Sequence, residues 1–387
     1  MSSQIYLDNS ASTRVREEVL EAMRPFFCEK WGNPSSIHKL GRQSRNVLDT
    51  ARQQAAEFLN ASPEEIFFTP CGTYSNNVAL LGRARFAEAN DKGRHIITTC
   101  IEHSSSLGPA KHLESRGWKL SYAHVNDEGF VDAEEIASLI TPETSIVSLM
   151  WANNEIGTVQ PIEEVAKICA EKGVFFHSDA VQVAAKMPVD MKKTPVQTLS
   201  MSGHKFYAPK GIGLLYVRKG VNLMPIMFGG GQESGLFPGT ECLTNIVAIG
   251  KACELAHKDL PTMEPVLRKL QEKLIKGLTK IPGVRLTGAQ DLDKRVPGHV
   301  SIVVEGAVGE ELVVQADFKG VCISSVSACQ QQGHDPSHVL KCMGFPREHM
   351  IGSARITIGR FNTEDEIDRA LVVLTDILSK SAKPAHV

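Results

Sequence analysis

Short apolar runs alternate with helical patterns along the first two-thirds of the chain. "EIFFT" (65–69), "HIITT" (95–99), "SIVSLM" (145–150), "GVFFH" (173–177) and "GIGLLYV" (211–217) read as strands. Unbroken apolar runs of that length suit strands covered on both faces. Between them, "RQSRNVLDTARQQAAEFLN" places Val47, Leu48, Ala51, Ala55, Phe58 and Leu59 on one helical face, and "IEEVAKICAEKG" ends on a glycine stop. Strand and helix in alternation predict an α/β domain with a mainly parallel sheet. Beyond about His257 the texture changes. "TMEPVLRKLQEKLIKGLTKIPGV" predicts a long amphipathic helix, followed by the strand-like "HVSIVVE" and "ARITIG" and the helical "TEDEIDRALVVLTDIL". That order suits a smaller α+β domain, with the boundary near residue 260.

Composition narrows the function classes. The 387 residues are enough for two or three domains. A formal net charge of -2 gives no electrostatic case for a nucleic-acid or anionic-membrane partner. No apolar run approaches the length of about 18 residues that a spanning helix needs. The start, "MSSQIYLDNS", has neither the basic nor the apolar region of a secretory signal, so a cytoplasmic location is expected, with an organellar one left open. The nine cysteines are scattered and form no CxxC pair, so reduced thiols are expected at all but Cys329, and no metal site is predicted.

Candidate chemistry gathers in residues 178–211, "SDAVQVAAKMPVDMKKTPVQTLSMSGHKFYAPKG". Asp179 closes an apolar strand, and Lys205 stands in a turn beyond a helix-like stretch. Ligands of open parallel sheets gather at such strand ends. Asp179 reads either as a helix N-cap or as a buried carboxylate that keeps a heteroaromatic nitrogen protonated. Pyridoxal phosphate (PLP) needs such a carboxylate, together with a lysine Schiff base. Ser202 and His204 beside Lys205 are suited to a phosphate, as are Gly72 and Thr73, which open a helix after a strand in "TPCGTYSNN" (69–77). His103, in "CIEHSSS", is placed to stack on a ring. "WANNEIGTVQP" (151–161) offers amides or an Asx turn, and Gln182 lies three residues beyond Asp179.

With these positions the chain resembles the NifS/IscS-like cysteine desulfurases, a class V aminotransferase branch of the fold-type-I PLP enzymes. The resemblance runs from "IYLDNSAST" and "WGNPSSIH" through "ANNEIGTVQP", "HSDAVQ" and "SMSGHKFYAPKGIGLLYVR" to "SSVSAC", "PSHVL" and "GSARITIGRFNTEDEID". It implies a large PLP-binding domain over residues 15–260, with 1–14 and 261–387 in the small domain. It also implies that Lys205 carries PLP, Asp179 pairs with the ring nitrogen, His103 stacks and moves protons, and Gln182 bonds the ring hydroxyl. Thr73, Ser202 and His204 would hold the phosphate, joined by Thr240 from the second chain of a homodimer. Arg355 and Asn154 would bind the substrate carboxylate.

Cys329, in the polar stretch "SSVSACQQQGHDPSHVL", would attack the sulfur of PLP-bound L-cysteine, leaving alanine and a persulfide. A sulfur acceptor or iron–sulfur scaffold protein is the implied partner. The chain departs from the family pattern at "GGGQESGLFPGT", where Ser234 and Phe237 replace arginines. Tyr74 stands where an acid is usual, and Gly203 where alanine is common. These changes leave room for a selenocysteine lyase or a related PLP lyase, or for a protein that kept the fold and lost turnover. The intact Lys205, Asp179, His103 and Cys329 argue against the last. A nicotinamide dehydrogenase finds no support, because "GGGQESG" lacks the strand–GxGxxG–helix context.

Overall fold

The computed structural model describes residues 4–326 and 336–382. Its strands are β1 (Ile5–Tyr6), β2 (Ile66–Thr69), β3 (His95–Thr99), β4 (Lys119–Ala123), β5 (Thr144–Met150), β6 (Phe175–Asp179), β7 (Thr198–Ser202), β8 (Gly213–Val217), β9 (Val284–Leu286), β10 (His299–Val304), β11 (Val321–Cys322) and β12 (Ser353–Thr357). Seven of them form one sheet in the order β2-β8-β7-β6-β5-β3-β4. Every pairing from β7 to β4 is parallel, and β8 runs antiparallel to both β2 and β7. Two reversals cancel, so β2 points the same way as the parallel strands. The carboxyl ends of all strands except β8 therefore share one edge of the sheet. That edge positions the site.

The apolar runs form strands because each is buried along its length, Thr144–Met150 and Phe175–Asp179 at every position. Two strands escape the apolar reading. Lys119–Ala123 is a half-exposed edge. Thr198–Ser202 is buried although three of its five residues are Ser or Thr. The stretch between β6 and β7 is not helical. It is a run of turns in which Ala185 takes φ 57° and the Asp190 carboxylate accepts from Lys192 N and Lys193 N. Side-chain capture of backbone donors in this way competes with helix.

The long helix begins earlier than its amphipathic half predicts. It spans Leu243–Leu278, with Pro261 and Pro265 inside it. Proline removes a backbone donor and ordinarily breaks a helix. Here each half is anchored by its own core. Leu243, Ile246, Ile249 and Cys253 pack with the large sheet. Leu267, Leu270, Leu274 and Leu278 pack instead with β9, β10, β12 and the Glu364–Ser381 helix. That last helix starts on a capping box between Thr363 and Glu366. The chain's beginning joins the same cluster through Ile5 and Leu7, with β1 parallel to β11.

The cysteines correct the reduced-thiol expectation. Cys100 and Cys342 are paired as a disulfide, their Cα atoms 6.2 Å apart and 242 residues apart in sequence. No spacing rule links two cysteines so distant, and their meeting is a product of the fold. Cys28, Cys71, Cys169, Cys242, Cys253 and Cys322 are free thiols. Among the described residues no group of three or more His, Cys, Asp or Glu side chains is placed to hold a metal. Likewise, no helix among them is long and apolar enough to cross a membrane.

Candidate active site

A cavity of about 310 Å³ lies at the shared strand edge. Asp179 and Ser202 reach it as the last residues of β6 and β7, and Lys205 from the turn Gly203–Lys205 directly after β7. Gly72 and Thr73 line it from the start of the Gly72–Ala89 helix, and His103 from the N-cap of the Ser104–Ser115 helix. Asn154, Gln182, His204 and Arg355 complete the sequence-predicted set in this cavity. Thr240 does not join them. It lines a separate recess with Tyr74 and Phe237. Cys329 lies outside the described residues.

Asp179 is held by a network whose proton positions can be worked out atom by atom. Its Oδ1 accepts from Val181 N at 3.0 Å and its Oδ2 from Asn76 Nδ2 at 2.7 Å. A carboxylate only accepts, which fixes the orientation of the Asn76 amide. The second Asn76 proton goes to Ser105 Oγ at 2.8 Å, so the Ser105 hydroxyl donates in turn to His103 Nδ1 at 2.8 Å. His103 Nδ1 also accepts from Ser105 N at 3.1 Å. The neutral His103 ring therefore carries its proton on Nε2. On the far side, Asn76 Oδ1 lies 3.0 Å from His177 Nε2, and Thr198 Oγ1 2.9 Å from His177 Nδ1. Burial pushes His177 down to about 3, leaving it neutral with its one proton on Nε2. Around Asp179, Asn76 and His177 every side-chain donor has a defined acceptor, while His103 Nε2–H is left for the cavity.

Charges around the cavity follow from burial. Desolvation lowers His103, the Asp179 charge opposes it, and Lys205 and His338 reinforce it. His204 is pushed down to about 4 by desolvation, then by Lys205 and Lys210. Glu102 is wholly buried and raised to about 8, with the Asp179 charge contributing, so it is neutral at pH 7. Lys186 falls to about 7 through desolvation and the neighbouring Lys205 and Arg355. Lys205 Nζ donates to Ser10 O at 2.6 Å and Ala11 O at 2.8 Å. Gln182 Nε2 donates to the same Ser10 carbonyl at 3.2 Å. Arg355, 3 % exposed, gives Nη2 to Asp8 Oδ1 at 2.8 Å and Nη1 to Asn154 O at 3.0 Å, while its buried Nε has no partner. A buried guanidinium that lines the cavity suits a small carboxylate.

A second cavity, of about 700 Å³, adjoins the first through His103 and Asn154, which line both. Its other walls include Glu155, Ser337, His338, Lys341 and the Cys100–Cys342 pair. It is large enough to serve as a vestibule.

The model of the aminotransferase class-V family matches residues 5–370. The chain belongs to that family. A cysteine desulfurase IscS of Clostridium botulinum (strain Kyoto / Type A2) is 44% identical over 382 residues, covering 98% of this chain and 96% of the relative. The IscS of Methanosarcina thermophila is also 44% identical, over 97% of this chain and 92% of its own. Among solved structures, a NifS-like protein superposes with a TM-score of 0.91 at 38% identity, covering 97% of this chain and 100% of that one.

Members of this family are PLP-dependent enzymes, and the cavity fits that group. The Gly72–Ala89 helix directs its first N–H groups at the cavity, beside Ser202 and His204, as a phosphate site requires. A Cβ at Gly72 would stand 3.0 Å from Val181 Cγ2 and 3.3 Å from Ser202 Cβ, so glycine keeps this wall open. Ser10 also lines the cavity, and its buried Oγ has no partner.

The departures from the family pattern find partial reasons. A Cβ at Gly203 would lie 2.9 Å from Ile212 Cγ2 and 3.1 Å from Ala208 Cβ, which makes glycine the better fit here. Tyr74 and Phe237 both line one recess, two aromatic residues where the family pattern has an acid and an arginine. Nothing in the structure explains Ser234. Sequence reasoning gave no role to Asn76, Ser105, Ser10 or Ala11. The first two lay inside quoted motifs. The carbonyls of the last two carry no side-chain signal.

Proposed function

We propose that this chain is a PLP-dependent cysteine desulfurase that converts L-cysteine to L-alanine. The sulfur passes to Cys329 as a persulfide, for iron–sulfur cluster assembly or thiolation. The observation that carries the reading is the convergence of Lys205, Asp179, His103 and Arg355 on one cavity beneath a helix N-terminus. A structural neighbour described as SspA in complex with cysteine supports the substrate, with a TM-score of 0.81 at 32% identity, covering 93% of this chain and 100% of that one. Relatives named as cysteine desulfurases favour this activity over the lyase alternative.

Each described residue would have a task that its surroundings support. Bound PLP supplies an electron sink for bond changes at the substrate Cα. Lys205 would carry the covalent attachment, and Asp179 would keep the ring nitrogen protonated. Gln182 would bond the ring hydroxyl, and Gly72, Thr73, Ser202 and His204 would hold the phosphate. Arg355 and Asn154 orient the substrate carboxylate, and His103 moves a proton through Nε2. The Cys329 thiolate attacks the substrate sulfur. The Cβ–S bond breaks, its electron pair stays on carbon, and protonation there gives the methyl group of alanine.

A homodimer, in which Thr240 serves the partner's phosphate site, and a cytoplasmic location belong to the same proposal. So does a division into a large domain (15–260) and a small one (1–14 and 261–387), meeting within the long helix. The test is mass spectrometry after brief incubation with L-cysteine. The parent should gain one sulfur on Cys329 and form alanine, and Cys329→Ser should do neither. Pyruvate and ammonia in place of alanine would sink the reading.

A further inference from the structure

We propose that Cys100 and Cys342 form a reversible thiol–disulfide exchange site in the vestibule wall, opened and closed by small thiols and disulfides of the substrate's chemical class. It rests on the desulfurase reading only for the identity of that small thiol. Cys100 follows β3 and stands three residues before His103. Cys342 ends the His338–Cys342 helix. Their Cα separation of 6.2 Å lies in the range a disulfide spans without backbone movement. Both line the 700 Å³ cavity that also exposes His103 and Asn154. A small thiol approaching the inner cavity this way passes their sulfurs.

The surroundings separate this pair from Cys28, Cys169, Cys242 and Cys253. Cys169 and Cys253 are buried and desolvated, so they are poor nucleophiles. Cys28 and Cys242 are exposed, but neither is paired. Cys100 and Cys342 are half-buried, and Lys111 and Lys341 line the same cavity. Neighbouring cations favour the thiolate that exchange requires. Among the described residues that line it, Glu155 is the one acid, and burial raises its pKa.

The bridge has a mechanical consequence. At its start the His338–Cys342 helix is tied to the turn before His103 by His338 Nε2, which donates to Glu102 O at 3.0 Å, and Ser337 Oγ donates to the Glu155 carboxylate. The disulfide adds a second tie at the helix end. Without it, that end is held by apolar packing among Ile101, Val339 and Leu340. In closure, one thiolate attacks the small disulfide and expels a thiol. The second thiolate then attacks the mixed disulfide and expels another. Two electrons reduce the small disulfide, and the two thiol protons leave with the products. Two small thiols reverse both steps.

The test uses the full-length holoenzyme in cysteamine–cystamine buffers, which carry the chemistry without the substrate carboxylate. Differential alkylation and peptide mass spectrometry read the state of each cysteine. The bridged-to-open ratio should rise tenfold for each tenfold rise in [RSSR]/[RSH]², while Cys28 and Cys242 stay alkylatable. Cys100 and Cys342 alkylated at every ratio, or trapped as mixed disulfides, would overturn the proposal. Bridging should also raise KM for L-cysteine by about threefold or more, with kcat changed less, because entry then passes a fixed wall. Cys342→Ser and, separately, Cys100→Ser should remove that redox dependence while keeping the turnover of the reduced enzyme. A KM independent of redox state in the parent overturns the gating role. If reduced enzyme makes no alanine, the desulfurase reading fails, and the exchange result still decides the fate of the bridge.

Discussion

Replacing Asn76 with alanine deletes two donors and one acceptor from a fully buried position between Asp179, Ser105 and His177. The Asp179 carboxylate loses a charge-assisted bond worth about 1.5–3 kcal/mol, and the His177 N–H is stranded at about 1–3 kcal/mol, for a total of about 2.5–6 kcal/mol. Much of that loss comes from the stranded partner. Adding His177→Phe should therefore cost less than the two single changes summed, with a coupling of about 1 kcal/mol or more. Urea unfolding of the four proteins, at fixed protein and cofactor concentration, reads the difference from midpoints and slopes. Additivity within about 0.5 kcal/mol would refute the network as drawn. An independent check is histidine NMR, which should find the proton of His177 on Nε2. A proton on Nδ1 would reverse the donor assignment of Asn76 and end the argument.

Three other outcomes follow from the cavity. Borohydride reduction and peptide mapping should place a pyridoxyl label on Lys205, and a label on any other lysine removes it from the centre. Arg355→Lys keeps the charge but loses the planar fork, so KM for L-cysteine should rise about tenfold or more with a smaller change in kcat, as for a lost carboxylate contact. An unchanged KM would put the carboxylate elsewhere. Glu102, raised to about 8, binds a proton in the folded chain that the unfolded chain releases near its ordinary pKa. Its contribution to stability is thus complete below about pH 4 and is lost as pH rises towards about 8. Glu102→Gln should flatten that part of the stability profile, and parallel profiles for parent and variant would show that the carboxyl is already ionised.

The parts of the fold legible in the sequence were those where apolar burial and chain direction coincide. Ile146–Met150 and Phe175–Phe176 announce themselves because both faces of the sheet are covered. Thr198–Ser202 does not, because buried hydroxyls beside β6 look polar on paper. The long helix was read only from Thr262, just after Pro261, although the helix continues through that proline with a separate core on either side. At the site, side chains with distinctive chemistry were readable from their strand-end positions. The carbonyls of Ser10 and Ala11 were not, nor was the meeting of Cys100 with Cys342, because both depend on segments brought together from distant parts of the chain.

The pairing of β1 with β11 has a consequence for the order of events in synthesis. Ile5 is among the first residues made, yet its partner Val321 appears about 300 residues later. At about 5–20 residues per second, the opening segment waits roughly 15–60 s for its place in the sheet. The same segment carries the Ser10 and Ala11 carbonyls that receive Lys205 Nζ. A nascent chain can therefore raise the large sheet and present its lysine long before the cavity has a complete wall. Maturation of the centre is timed by the arrival of the C-terminal third, and a truncated product would expose a reactive amine without the surroundings that direct it.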